Sequence, residues 1–202
     1  KGIIGLAVMA SFFSLSAAAG TDVTKDGSVN LSIAAERYDQ PTLSVGLNSP
    51  TLGVYYDFAE EKFKTVQGQG LNVKLHNPSA SFDSLKLKVA SWSQNGHKLK
   101  LGSDFVPYDF YLGTYAGSAG TYKVPQAADQ NAPFTGMVNA LTDAELGAAG
   151  LGDFIGVVGG AQVDINATTM ISLESTAAAT QEGLYTDTAK LFVQTTWANY
   201  GS

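Results

Sequence analysis

Leu71 to Leu75 and Leu85 to Val89 are two runs in which apolar residues fall at every second position. Leu71, Val73 and Leu75 alternate with Asn72, Lys74 and His76. Asn77-Pro78-Ser79 supplies a turn, after which Leu85, Leu87 and Val89 alternate with Lys86, Lys88 and Ala90. Successive side chains of a strand point to opposite faces, so each run makes an extended segment with one apolar and one polar side. On a helix the same spacing would scatter the apolar groups around the cylinder and leave nothing to pack. The pattern predicts antiparallel strands that bury one face each.

The same reading extends along the chain. Leu43 to Leu47 and Leu52 to Phe58 flank the turn Asn48-Ser49-Pro50. Glu60 to Val66 reads as a further edge strand, Lys98 to Leu101 follows the tight-turn pair Asn95-Gly96, and Phe105 to Tyr115 is extended. Strand pattern returns at Val163 and Ile165, then at Met170 to Leu173. After Gln181-Glu182-Gly183 a last strand runs from Tyr185 to Trp197. It sets Ala189, Leu191, Val193, Thr195 and Trp197 on one face and Lys190, Gln194 and Thr196 on the other, with Phe192 the exception. Near the start, behind a polar lead-in from Gly20 to Gly27, Val29, Leu31, Ile33 and Ala35 alternate with Ser28, Asn30 and Ser32. Pro41 has no amide donor and restrains Gln40, so that strand stops or bends there. By pattern alone it is an ordinary first strand of its own domain.

One short helix is expected. Thr142-Asp-Ala-Glu145 spells a capping box, and Gly147 or Gly150 would end the helix. It lies inside a Gly- and Ala-rich stretch, 117 to 160, read as a long connection with one or two helical turns, flexible at Gly150 to Gly156. Many short strands between Gly, Pro and Asn turns predict an all-β chain, a sandwich or a barrel.

Composition narrows the function. The 202 residues carry a net charge of −6 and no Lys/Arg-rich run, which argues against nucleic acid as a partner. There is no cysteine, so no disulfide can staple the fold. Residues 1–19 read as a secretory signal: Lys1, an apolar run to Leu15, then Ala17-Ala18-Ala19 for cleavage. From Gly20 onward the length suits one domain.

Catalytic frames are missing. The two imidazoles, His76 and His97, sit beside turns in polar-facing positions and read as surface groups, with no nucleophile elbow to accompany them. Metal sites of the His/Cys type lack ligands, and no cofactor is expected. Asp104 with Asp109, or Glu60 with Glu61, could form a glycosidase pair by composition only. Gly150 to Gly156 superficially resembles a dinucleotide loop with the wrong glycine spacing, and Asn166-Ala-Thr168 is a glycosylation sequon by spelling.

Gly183 to Trp197, "GLYTDTAKLFVQTTW", resembles the last strand of chaperone–usher pilins. The alternating extension followed by Asp39-Gln-Pro41-Thr-Leu43 is similar to the cysteine-free class 5 (alpha-type) colonisation-factor pilins, as are Leu52 to Lys64 and Leu71 to Val89. The likeness covers about two thirds of the chain after residue 19; the long stretch 117 to 160 and the tail after Trp197 depart from it. It implies an incomplete immunoglobulin-like β-sandwich completed by donor-strand exchange. Residues 20–40 would then be an N-terminal donor-strand extension ahead of the pilin domain, 41–202, with Val29, Leu31, Ile33 and Ala35 the donor, Pro41 a hinge, and Leu191, Val193, Thr195 and Trp197 the C-terminal edge strand that pairs with a chaperone or a donor. Implied partners are identical subunits in a head-to-tail polymer, a periplasmic chaperone, an outer-membrane usher and a tip adhesin. The chain would pass through the periplasm to the cell surface and serve adhesion as a fimbrial subunit without catalytic activity. An outer-membrane β-barrel of about eight strands is the alternative expectation.

Overall fold

A computed structural model describes residues 23–28, 41–77, 81–114 and 120–201. The expected signal segment and the alternating residues Val29, Leu31, Ile33 and Ala35 lie outside them. The fold is all-β and antiparallel, and its described sheets are not closed into a barrel.

The two runs that alternate most strictly become strands of different sheets. β1 (Val23–Ser28) opens the chain, followed by β2 (Thr42–Leu47), β3 (Val54–Asp57), β4 (Lys62–Thr65), β5 (Gln69–Asn77) and β6 (Ser84–Ser93). Next come β7 (Lys98–Leu101), β8 (Asp104–Gly113), β9 (Tyr122–Lys123), β10 (Val163–Ser175) and β11 (Ala189–Ala198). The smaller sheet has the order β1-β11-β6. In the larger one β10 is central, with β5 and then β4 along one side and β8 on the other; β2 flanks β5 and β3 flanks β4. Leu71, Val73 and Leu75 of one sheet and Leu87, Val89, Val193 and Trp197 of the other belong to a single buried cluster. Period-two patterning thus delivers one core between two layers.

Several expectations shift. The two runs at Val163 and Met170 are parts of one continuous 13-residue strand, Val163–Ser175, whose length serves β5 at one end and β8 at the other. The polar lead-in contains β1, paired antiparallel with β11 from Val23↔Trp197 to Ser28↔Phe192. Residues 185–188 precede β11 proper and make only a bridge, Lys100↔Thr186.

The described part of the Gly- and Ala-rich stretch, residues 120 to 160, packs against the sheet. It seals the outer edge of β6: Ser91 donates its amide to Pro125 O (2.9 Å), Leu141 donates to Leu87 O (2.8 Å) and Leu85 donates to Val157 O (3.2 Å). The capping box at Thr142 forms as expected and starts helix α1 (Asp143–Ala148), and Gly150, at φ +69°, follows its C-cap. Leu146, Leu151 and Phe154 then drop into the main core. Phe192, the residue that broke the alternation of β11, packs outward against Phe134 of this stretch, ring centres 6.5 Å apart. Phe134 in turn packs against the small outer cluster of Ala90, Ala127 and Val138.

Candidate functional site

Strand direction defines two poles. Thr42 lies opposite His76, beside Asn77 at the end of β5; seven residues later β6 begins at Ser84, opposite Ala198 and next to the Trp197–Val23 pair. Pro41 and Val23 therefore share one pole. β2 and β1 both run away from it, toward the pole where Leu47, Ser93 and Ala189 lie.

At that second pole a groove of about 520 Å³ reaches the core. One wall is Leu47 to Val54, the turn after β2; the other is Leu184 to Leu191, the lead into β11. Leu99, Tyr108, Phe110, Ile171 and Leu173 form the floor, all buried residues of the main cluster. Leu184 stands on the rim at 81% exposure. Apolar floor and rim together leave greasy surface facing water, the usual sign of a docking surface.

The groove has a polar end. Tyr108 Oη donates to Asp187 Oδ2 (2.8 Å), and burial, reinforced by that carboxylate, pushes the phenol's pKa well up. Asp187 Oδ1 also accepts from the amide of Asn95 (3.2 Å). Tyr185 donates to Asp104, which accepts from Thr180 Oγ1 as well (2.8 Å); these bonds hold the Asp104 carboxyl below its usual value. Phe63, Tyr56 and Phe58 continue from Tyr185 as a chain of rings, neighbouring centres 5.1 Å apart. The segment 184–187 is therefore anchored even though it is not a regular strand.

β11 is the structural axis of the site. Leu191, Val193, Thr195 and Trp197 are buried and face the core, as their alternation requires. Thr195 Oγ1 and Trp197 Nε1 have no hydrogen-bond partner among the described residues. The strand is not an edge over its whole length, because β1 covers residues 192 to 197. From Leu191 backward to Tyr185 the side away from β6 borders the groove. Pro41 is buried at the start of β2, at the far pole.

The imidazoles part company. His76 is half exposed and paired with Asp164, as a surface group would be. His97 is 4% exposed, against the surface expectation. The turn after β6 takes positive φ at both Gly96 (+63°) and His97 (+57°), which swings the ring inward between Tyr108 and Phe110. Its Nε2 lies 3.0 Å from Ser91 Oγ, itself fully buried. Burial lowers the His97 pKa, with Asp187 and Asp109 pulling the other way. No substrate can reach this serine from solvent.

The carboxylates of the supposed glycosidase pair are not brought together. Asp104 and Asp109 are an odd number of residues apart on β8, so they face opposite sides. Asp109 is held by Lys123 (2.7 Å) and Glu60 by Lys64. Among the described residues no group of three or more His, Cys, Asp or Glu could hold a metal ion. Gly150 to Gly156 follows the C-cap of α1 and holds a short 3-10 turn, Gly152–Phe154, whose Phe154 lies in the core.

Sequence reasoning missed the floor and one wall of the groove. The signal available was Gly183-Leu184-Tyr185, where an exposed Leu adjoins a buried Tyr. The chain matches no protein-family model, no curated protein and no solved structure.

Proposed function

We propose that this chain is a structural subunit that polymerises by strand addition, as the resemblance to chaperone–usher pilins implies. The domain is then an incomplete immunoglobulin-like sandwich, and the groove is the place of its missing strand. One observation carries the reading: the register of β1 on β11, extended past Ser28, runs straight into the groove. Val23 opposes Trp197 and Ser28 opposes Phe192. A strand continuing in that register sets residues 29, 31, 33 and 35 opposite Leu191, Ala189, Asp187 and Tyr185, all of which line the groove. Directly opposed residues of an antiparallel pair share a face, so the four residues turned to the core are Val29, Leu31, Ile33 and Ala35.

In this reading the strand comes from a second copy. Burial of Val29, Leu31 and Ile33 contributes about 1.5–3 kcal/mol each, and ladder hydrogen bonds fix the register. The groove opens at one pole and β2 begins at the other, just after Pro41, so a donor given to another copy makes a head-to-tail contact that generates a fibre. Before assembly a periplasmic chaperone would shield the groove and an usher would deliver subunits to the surface, where the fibre and a tip adhesin serve attachment.

Two substitutions test it. Ile33→Asp puts an unpaired carboxylate into the apolar groove, opposite Asp187, and blocks fibre formation. Asn30→Asp, on the other face, leaves fibre yield nearly unchanged. The readout is fibre yield by negative-stain microscopy, with melting of monomer complemented by a peptide of residues 20–36. Equal damage from the two substitutions, or a chain lacking residues 20–36 that folds without peptide or chaperone, would end the proposal.

A further inference from the structure

We infer that β1 is an intramolecular cap on the polymerisation edge, one that its own chain can extend over only part of the groove. The inference rests on the strand-addition reading above. Residues 192 to 197 of β11 are paired to β1 of the same chain. A donor from a second copy, in the same register, needs the same backbone groups. The two strands compete for one edge, and the monomer holds that edge in cis until assembly.

The limit on the cap is one of reach. β1 starts at the pole of Pro41 and runs toward the groove, yet the chain must return to Pro41 to begin β2. A strand paired from residue 23 to residue 34 advances about 36 Å at 3.3 Å per residue. The seven residues from there to Pro41 span at most about 25 Å when fully extended. Chain length therefore allows own-chain pairing no farther than about residue 32, where advance and return balance at about 30 Å. Leu191 and Ala189 can be covered in cis. Asp187, Tyr185 and the rim at Leu184 cannot, and they stay open for the strand of a second copy. A strand not tied to Pro41 of the same subunit has no such limit, so the polymer fills the whole groove and the monomer part of it.

The absence of cysteine makes disulfide trapping in the full chain clean. Thr24 and Thr196 are directly opposed, and opposed strand residues lie within disulfide range. Thr24→Cys with Thr196→Cys should close within one chain, at a rate independent of protein concentration. The closed monomer should fail to polymerise, and reduction should restore assembly. Ala34→Cys with Thr186→Cys, opposed only in the extended register, should crosslink between chains alone. Closure of that second pair within a monomer would overturn the reach argument. A closed Thr24–Thr196 monomer that polymerises as fast as its reduced form would overturn the cap. Crosslinking of both pairs only between chains would remove the cap but leave strand addition standing. Loss of every interchain crosslink, with no fibre formed, would remove both.

Discussion

Leu151→Ala tests whether the Gly- and Ala-rich stretch belongs to the folded core. Leu151 is fully buried, in the main cluster with Leu146 and Phe154, and its amide donates to Leu146 O (2.8 Å). The side chain is apolar and the backbone bond survives truncation, so the cost is lost transfer energy plus the cavity left behind. That is about 2–5 kcal/mol for a buried Leu→Ala. In a domain of this size each kcal/mol lowers Tm by about 2–4 °C, so a fall of about 4–20 °C is expected. The control is Ile155→Ala, four residues along, where the side chain is 42% exposed; a change within about 1 kcal/mol is expected there. Calorimetry or urea unfolding of peptide-complemented monomer measures both. If Leu151→Ala costs no more than Ile155→Ala, residues 120–160 are a loose connection after all, and the sealing of β6 by this stretch is wrong.

Three further outcomes follow from particular residues. Burial depresses the His97 pKa, so the unfolded chain takes up a proton that the folded chain resists; stability is full above about pH 6.5 and declines as pH falls below it, by up to about 1.4 kcal/mol per unit. His97→Asn, which tolerates the positive φ, should flatten that slope between pH 7 and 5 in urea titrations, and an unchanged slope would exclude His97 as its source. Gly113→Ala should destabilise by more than about 1 kcal/mol, because φ is +127° and a Cβ would stand 2.5 Å from Ala148 O; a neutral result by thermal melting would refute that close approach. Thr142→Ala removes the N-cap of α1 and should cost about 0.5–2 kcal/mol, less than Leu151→Ala, with Thr142→Ser restoring most of it.

The sequence by itself determined the strands and their faces. Leu71 to Leu75, Leu85 to Val89 and Leu191 to Trp197 carry their inward side as period-two patterns, because a strand's geometry is local and burial acts on every second residue. The cap of α1 was equally legible, since Thr142 and Glu145 satisfy each other within one turn. What depends on distant partners was not legible. That His97 turns inward was decided by positive φ at the end of a tight turn and by the rings of Tyr108 and Phe110 waiting there. That Leu146, Leu151 and Phe154 join the core was decided by the open edge of β6, which needed hydrogen-bond partners that only the stretch beside it could bring. The groove belongs to the tertiary structure alone: its walls, Leu47 to Val54 and Leu184 to Leu191, are far apart in sequence and meet only because β2 ends and β11 begins at the same pole. Alternation can say which side of a strand is apolar, but only packing decides which apolar side is left uncovered.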